Sequence, residues 1–134
     1  MKQLSIIGRI LFGLPFGIIG LNHFFMVDFF TGMLTSIIPG AAFTVLLTGT
    51  FLILASISII VKRFIRIACY LLAALLLVFI LTIHVPGLFD ESSANVAMMQ
   101  LLKDTALMGG AILIATLCDN NGKDNKKVIE GSRS

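Results

Sequence analysis

Four long apolar runs, each close to the length needed to cross a bilayer, constrain this chain more than any other feature. They lie at about residues 4–26, 41–61, 67–85 and 94–117, and about 20 apolar residues in helical form span the hydrocarbon core. The runs are continuously apolar instead of alternating, so membrane helices are expected and a β-barrel is not. Of the 134 residues, 57% are hydrophobic and 13% charged, too little polar surface to cover a water-soluble domain of this size. The expected fold is all-α: a membrane four-helix bundle over residues 1–118, as one domain, and a polar tail at residues 119–134. The tail lacks an apolar period and is expected to be disordered.

The basic residues set the orientation. Lys2 and Arg9, then Lys62, Arg63 and Arg66, then Lys123, Lys126, Lys127 and Arg133 share one side of a four-span arrangement, nine of the ten Lys and Arg, with Lys103 opposite. The positive-inside rule then places both termini and the 62–66 turn in the cytoplasm. The formal net charge of +3 does not point to nucleic acid, because these residues cap apolar segments and form no stripe with interleaved aromatics. Lys2 ahead of an apolar stretch resembles a secretory leader. Arg9 interrupts that stretch, however, and no small-x-small cleavage site follows, so a retained first helix is expected. Cys69 and Cys118 lack metal-type or CxxC spacing, and no metal site is expected.

The outer connections differ in character. Residues 27–40 carry Phe29, Phe30, Met33, Leu34, Ile37 and Ile38 around a few polar residues, as in a segment that lies at the interface or partly re-enters. Residues 86–93 open with Pro86 and Gly87 and carry Asp90 and Glu91, as in a solvated turn.

Ionisable groups inside a span are costly and therefore informative. On the first helix Arg9, Gly13, Phe16, Gly20 and His23 fall on one stripe with Gly17 beside it, and Gly13, Gly17 and Gly20 form a surface that another helix can approach closely. On the third helix Tyr70, Ala73, Leu77, Ile80 and His84 share a face, and on the fourth Gln100, Asp104, Met108, Ala111 and Ala115 do so. By helical rise, His23 lies about 21 Å from Arg9, and His84 and Asp104 reach comparable depth. An outward-side polar pocket is expected, with Asp104 paired to one imidazole, the other imidazole facing the pocket, and Lys103 or Gln100 at its rim. Arg9 is expected to be a cytoplasmic anchor whose side chain snorkels. The plainer alternatives are an interfacial His84 at a helix end, a structural hydrogen bond for His23, and a solvated helix start at Lys103 and Asp104.

The segments Gly8-Arg9-Ile10-Leu11-Phe12-Gly13-Leu14-Pro15-Phe16 and Gly20-Leu21-Asn22-His23-Phe24 resemble the first helix of DoxX-like membrane proteins. Phe30-Thr31-Gly32-Met33-Leu34, Ile38-Pro39-Gly40, Leu47-Thr48-Gly49, Lys62-Arg63-Phe64-Ile65-Arg66 and the run from Leu101 to Gly110 follow in the order of that family. The resemblance implies a four-helix protein of the prokaryotic cytoplasmic (inner) membrane. The family includes a subunit associated with quinone-coupled thiosulfate oxidation and members linked to thiol redox defence. Where many members carry a carboxylate after the Thr-Gly pair of the second helix, this chain has Thr50, Phe51 and Leu52.

Two functions are expected to compete. One is a redox-associated subunit that binds quinone or another lipid-soluble molecule near His23, His84 and Asp104, with a membrane or peripheral redox protein as electron source. Imidazole exchanges protons near neutral pH, and the chain itself carries no dinucleotide fingerprint or iron–sulfur spacing. The other is a non-enzymatic structural, partner-binding or transport-related protein, and a homo-oligomer is compatible with either. Haem held by His23 and His84 is the disfavoured third reading. Thiol labelling of single-cysteine variants in sealed vesicles is expected to place the 62–66 turn and the tail on the same, cytoplasmic side. Opposite sides would sink the four-span topology.

Overall fold

The computed structural model describes residues 2–34 and 40–132, the side chains of Lys2 and of residues 119–127 excepted. Helix α1 covers Lys2–Phe25, α2 Val27–Met33, α3 Ala41–Val61 and α4 Ile65–Phe79. A π turn, Ile80–His84, carries α4 into α5, Val85–Gly87, and α6 covers Ala94–Gly131. No strand occurs among the described residues. Four stretches are long and apolar enough to cross a membrane, Gln3–Phe25, Ala41–Val61, Ile65–Gly87 and Ala94–Cys118, and the molecule is an all-α, four-helix membrane bundle. Leu11, Leu14, Ile18, Leu71, Leu81 and Leu113 point outward from it, a surface suited to lipid and not to water. Hydroxyls on the same outer surface are satisfied by their own helices. Thr50 donates to the Leu46 carbonyl at 2.9 Å and Thr105 to the Leu101 carbonyl at 2.7 Å, the usual bond back along a helix for threonine in an apolar medium.

Three boundaries define the ends of the spans. Pro86 and Gly87, expected to open the outer turn, belong instead to the last helical turn, directly after the π turn. Helix α6 continues through the polar residues that follow the span, as far as Gly131. Nothing between Cys118 and Gly131 is a proline, and a helix already nucleated in the membrane gains one hydrogen bond for each residue added. Residues 119–131 therefore extend α6 by about 20 Å past its span. In the first outer connection residues 27–33 form the short α2, while Thr35, Ser36, Ile37, Ile38 and Pro39 lie outside the described residues.

Helix α1 packs along α3, α3 on α4, and α4 on α6. Phe16, Leu52, Ile59, Cys69, Leu72, Ala111 and Ala115 form the centre, and both cysteines are free. The α1–α3 seam is built on absent side chains. A Cβ at Gly20 would stand 2.8 Å from the Gly49 carbonyl oxygen, and one at Gly17 would stand 2.8 Å from Ser56 Oγ. At Gly13 a Cβ would meet Ile60 Cγ1 at 3.1 Å, and at Gly49 it would meet the Cβ of His23 at 2.7 Å. Lipid tails are as apolar as leucine, so helices gain by associating only where their backbones approach closely enough for dense contact.

The turn between α3 and α4 is strained. Lys62 and Phe64 hold φ of 62° and 56°, the left-handed region that costs a side-chain-bearing residue about 1–2 kcal/mol. Lys62 and Arg63 both donate backbone N–H groups to the Ser58 carbonyl and so close the C-terminus of α3. In the α5–α6 turn, hydrogen bonds from the Ser92 hydroxyl and Ser92 N–H, with a further one from the Ser93 hydroxyl, hold the exposed Asp90 carboxyl below its ordinary range.

Gly20→Ala is expected to destabilise the bundle by about 1–3 kcal/mol through overpacking against backbone. Gly109→Ala meets nothing within 4 Å and is expected to be neutral, or stabilising by up to about 1 kcal/mol through helix propensity. Unfolding in mixed micelles measures both. Equal responses would argue against the seam.

Candidate polar site in the bundle

Asp104 reaches the interior because it lies on the face of α6 that also buries Ala97, Ala111 and Ala115. His84 reaches it by a less regular route. The buried positions along α4 and the π turn include Leu72, Leu76, Ile80 and His84, spaced by successive steps of four. In an α-helix each step of four overshoots a full turn by about 40°, so three such steps would carry His84 well off the stripe. The wider π turn takes that drift back. Regular α periodicity instead groups Tyr70 and Leu77 with His84, and the structure corrects this: they are 46% and 44% exposed.

At the site Nε2 of His84 donates to Oδ2 of Asp104 at 2.8 Å, with side-chain exposures of 10% and 6%. Lys103 Nζ lies 3.2 Å from the other carboxylate oxygen and donates to Gln100 Oε1 at 2.6 Å. The Lys103 side chain is 47% exposed. The arrangement thus runs from an exposed ammonium through a buried carboxylate to a buried imidazole. His84 is buried three residues before the end of its span, and Asp104 is buried within α6.

His23 occupies a separate environment. Its Nδ1 donates to the Ile19 carbonyl one turn back at 2.8 Å, and its ring stacks on Phe30 of α2 with centroids 3.9 Å apart. Gly49 leaves room for its Cβ across the α1–α3 seam. Among the described residues hydrogen bonds and ion pairs join Gln100, Lys103, Asp104 and His84, and none of them reaches His23. Sequence reasoning missed Phe30 and Gly49 here. Their only signals were an aromatic in the outer segment and a glycine within a span. Arg9 is half-buried on α1, with Nε enclosed and without a hydrogen-bond partner among the described residues. Among the described residues no group of three or more His, Cys, Asp or Glu could hold a metal ion.

A carboxylate and an imidazole in hydrogen-bond contact, shielded from lipid, can hold a proton between them and pass it to a third group. They also tie α4 to α6. His84→Leu leaves the buried carboxylate with only the half-exposed Lys103 and is expected to cost about 3–5 kcal/mol. Asp104→Leu leaves an imidazole, which can stay neutral, short of one partner and is expected to cost about 1–3 kcal/mol. The double variant is expected to cost clearly less than the sum, and strict additivity in mixed-micelle unfolding would argue against an energetic pair.

Comparison with family models, with curated proteins and with solved structures finds no match to this chain.

Proposed function

We propose that this multi-pass membrane protein is a binding subunit for a lipid-soluble, proton-exchanging molecule of the quinone class, which docks beside the His84–Asp104 pair. The observation that carries the reading is the 2.8 Å contact between a buried imidazole and a buried carboxylate within the apolar bundle. Ionisable groups at such depth mark ligand or proton pathways by default, and π turns recur at functional positions in helices. Half-exposed Lys103 connects the pair to the surface and gives a proton a route in or out. Quinone reduction consumes two electrons and two protons; the pair and Lys103 handle protons, and the electrons come from a partner redox protein. The DoxX-like pattern described above leans the same way. In this reading the basic ends face the cytoplasm of a prokaryotic cell, and the pair sits toward the outer side of the membrane.

A second reading is a structural clamp, in which the pair only holds α4 against α6. It is favoured by His23, whose hydrogen bond closes on its own helix and needs no ligand.

Purified full-length protein in detergent is expected to retain quinone by mass spectrometry and to bind decylubiquinone. His84→Gln and Asp104→Asn, which keep size and some hydrogen bonding, are expected to weaken that binding about tenfold, the loss of about one charge-assisted hydrogen bond. Absence of retained or bound quinone overturns the reading. Lower folded yield with unchanged binding per folded molecule favours the clamp.

A further inference from the structure

Without any residue of the polar pair in its lining, a groove of about 380 Å³ opens between α3 and α4 on the outer surface of the bundle. Phe51, Leu54, Leu71, Leu75 and Val78 are among its walls, and Phe64 closes the end next to the α3–α4 turn. Its lining is almost wholly apolar, with Ser58 the one hydroxyl. Three cations stand at that end, Lys62, Arg63 and Arg66, all exposed. The Arg63 guanidinium lies 5.9 Å from the centroid of the Phe64 ring, so the charge is tied to the same side chain that closes the groove.

The backbone of this turn is unusual for a connector. Lys62 and Phe64 both hold left-handed φ without being glycine, and that conformation leaves Phe64 69% exposed at the mouth of the groove. A turn of glycine and asparagine would join the helices without strain. The turn thus sets a strained aromatic residue in the lining of an apolar slot, with two exposed cations flanking it in the chain.

We propose that this groove is a specific site for one anionic glycerophospholipid, with an acyl chain between α3 and α4 and the phosphate on Lys62 and Arg63. Each basic residue at a membrane surface attracts an anionic headgroup by about a fivefold gain in affinity, and an apolar slot between helices holds one chain in place where bulk lipid would exchange freely. The site is independent of the His84–Asp104 pair and of any quinone.

Native mass spectrometry of the full chain, titrated with phosphatidylglycerol or phosphatidylcholine of identical acyl chains, tests this. One phosphatidylglycerol is expected to bind in preference to phosphatidylcholine. Lys62→Gln with Arg63→Gln is expected to cut that preference about tenfold or more. Ala74→Leu, which fills the groove from its exposed wall, is expected to weaken both lipids together. Should either variant fold poorly, the wild-type comparison of headgroups at low and high salt decides alone, since an electrostatic preference must fall with salt. Equal binding of the two lipids, a preference unchanged in the double variant, or a dimer that excludes lipid from the groove would overturn the proposal.

Discussion

Hydrocarbon offers a peptide group no hydrogen-bond partner and gives two apolar helices little reason to leave lipid for one another. Every feature of the bundle answers one of these two facts. Backbone groups are closed within helices, and lipid-facing threonines return their protons to their own helix. Association is left to the places where side chains are missing or polar. Along α1 and α3 the missing side chains act: Gly13, Gly17 and Gly20 meet Ile59, Ile60, Ser56 and Gly49 at distances no Cβ would allow without movement. Between α4 and α6 the polar side chains act, through His84 and Asp104.

The two histidines show how differently one residue type is accommodated at similar burial. His23 is satisfied locally, by a carbonyl of its own helix and the face of Phe30, so it adds no tie to the opposite side of the bundle. His84 is satisfied across a helix interface, by a carboxylate that would be costly to leave alone. A group that links two elements transmits its protonation state to their packing, which is why the second histidine and not the first carries the functional reading.

The solvent and the number of crossings were written plainly in the sequence, because four apolar runs of membrane length leave few alternatives to helices. The face of α6 that bears Asp104 followed from simple periodicity, since that helix is regular through its span. His84 was harder to place. Its helix changes pitch, and no residue in Ile80–His84 announces a π turn; regular α geometry consequently put Tyr70 and Leu77 inside when they face out. The stacking of Phe30 on His23 depends on α2 folding back over the bundle, a tertiary event without local signature. Helix α6 runs on into the polar tail, a continuation that composition alone does not signal and that propagation of a nucleated helix favours.

The π turn gives the interior a phase that depends on chain length as much as on chemistry. Loss of one residue within Ile80–His84 would let the turn revert to α geometry and leave the imidazole about 20° from the line through Leu72, because eleven residues at about 100° nearly close three turns. An insertion has no such outlet: it would turn the imidazole by about 100° toward the acyl chains and strand the carboxylate without one altered side chain. The ruler in this stretch is the register of a helix, and it forgives shortening where it does not forgive lengthening.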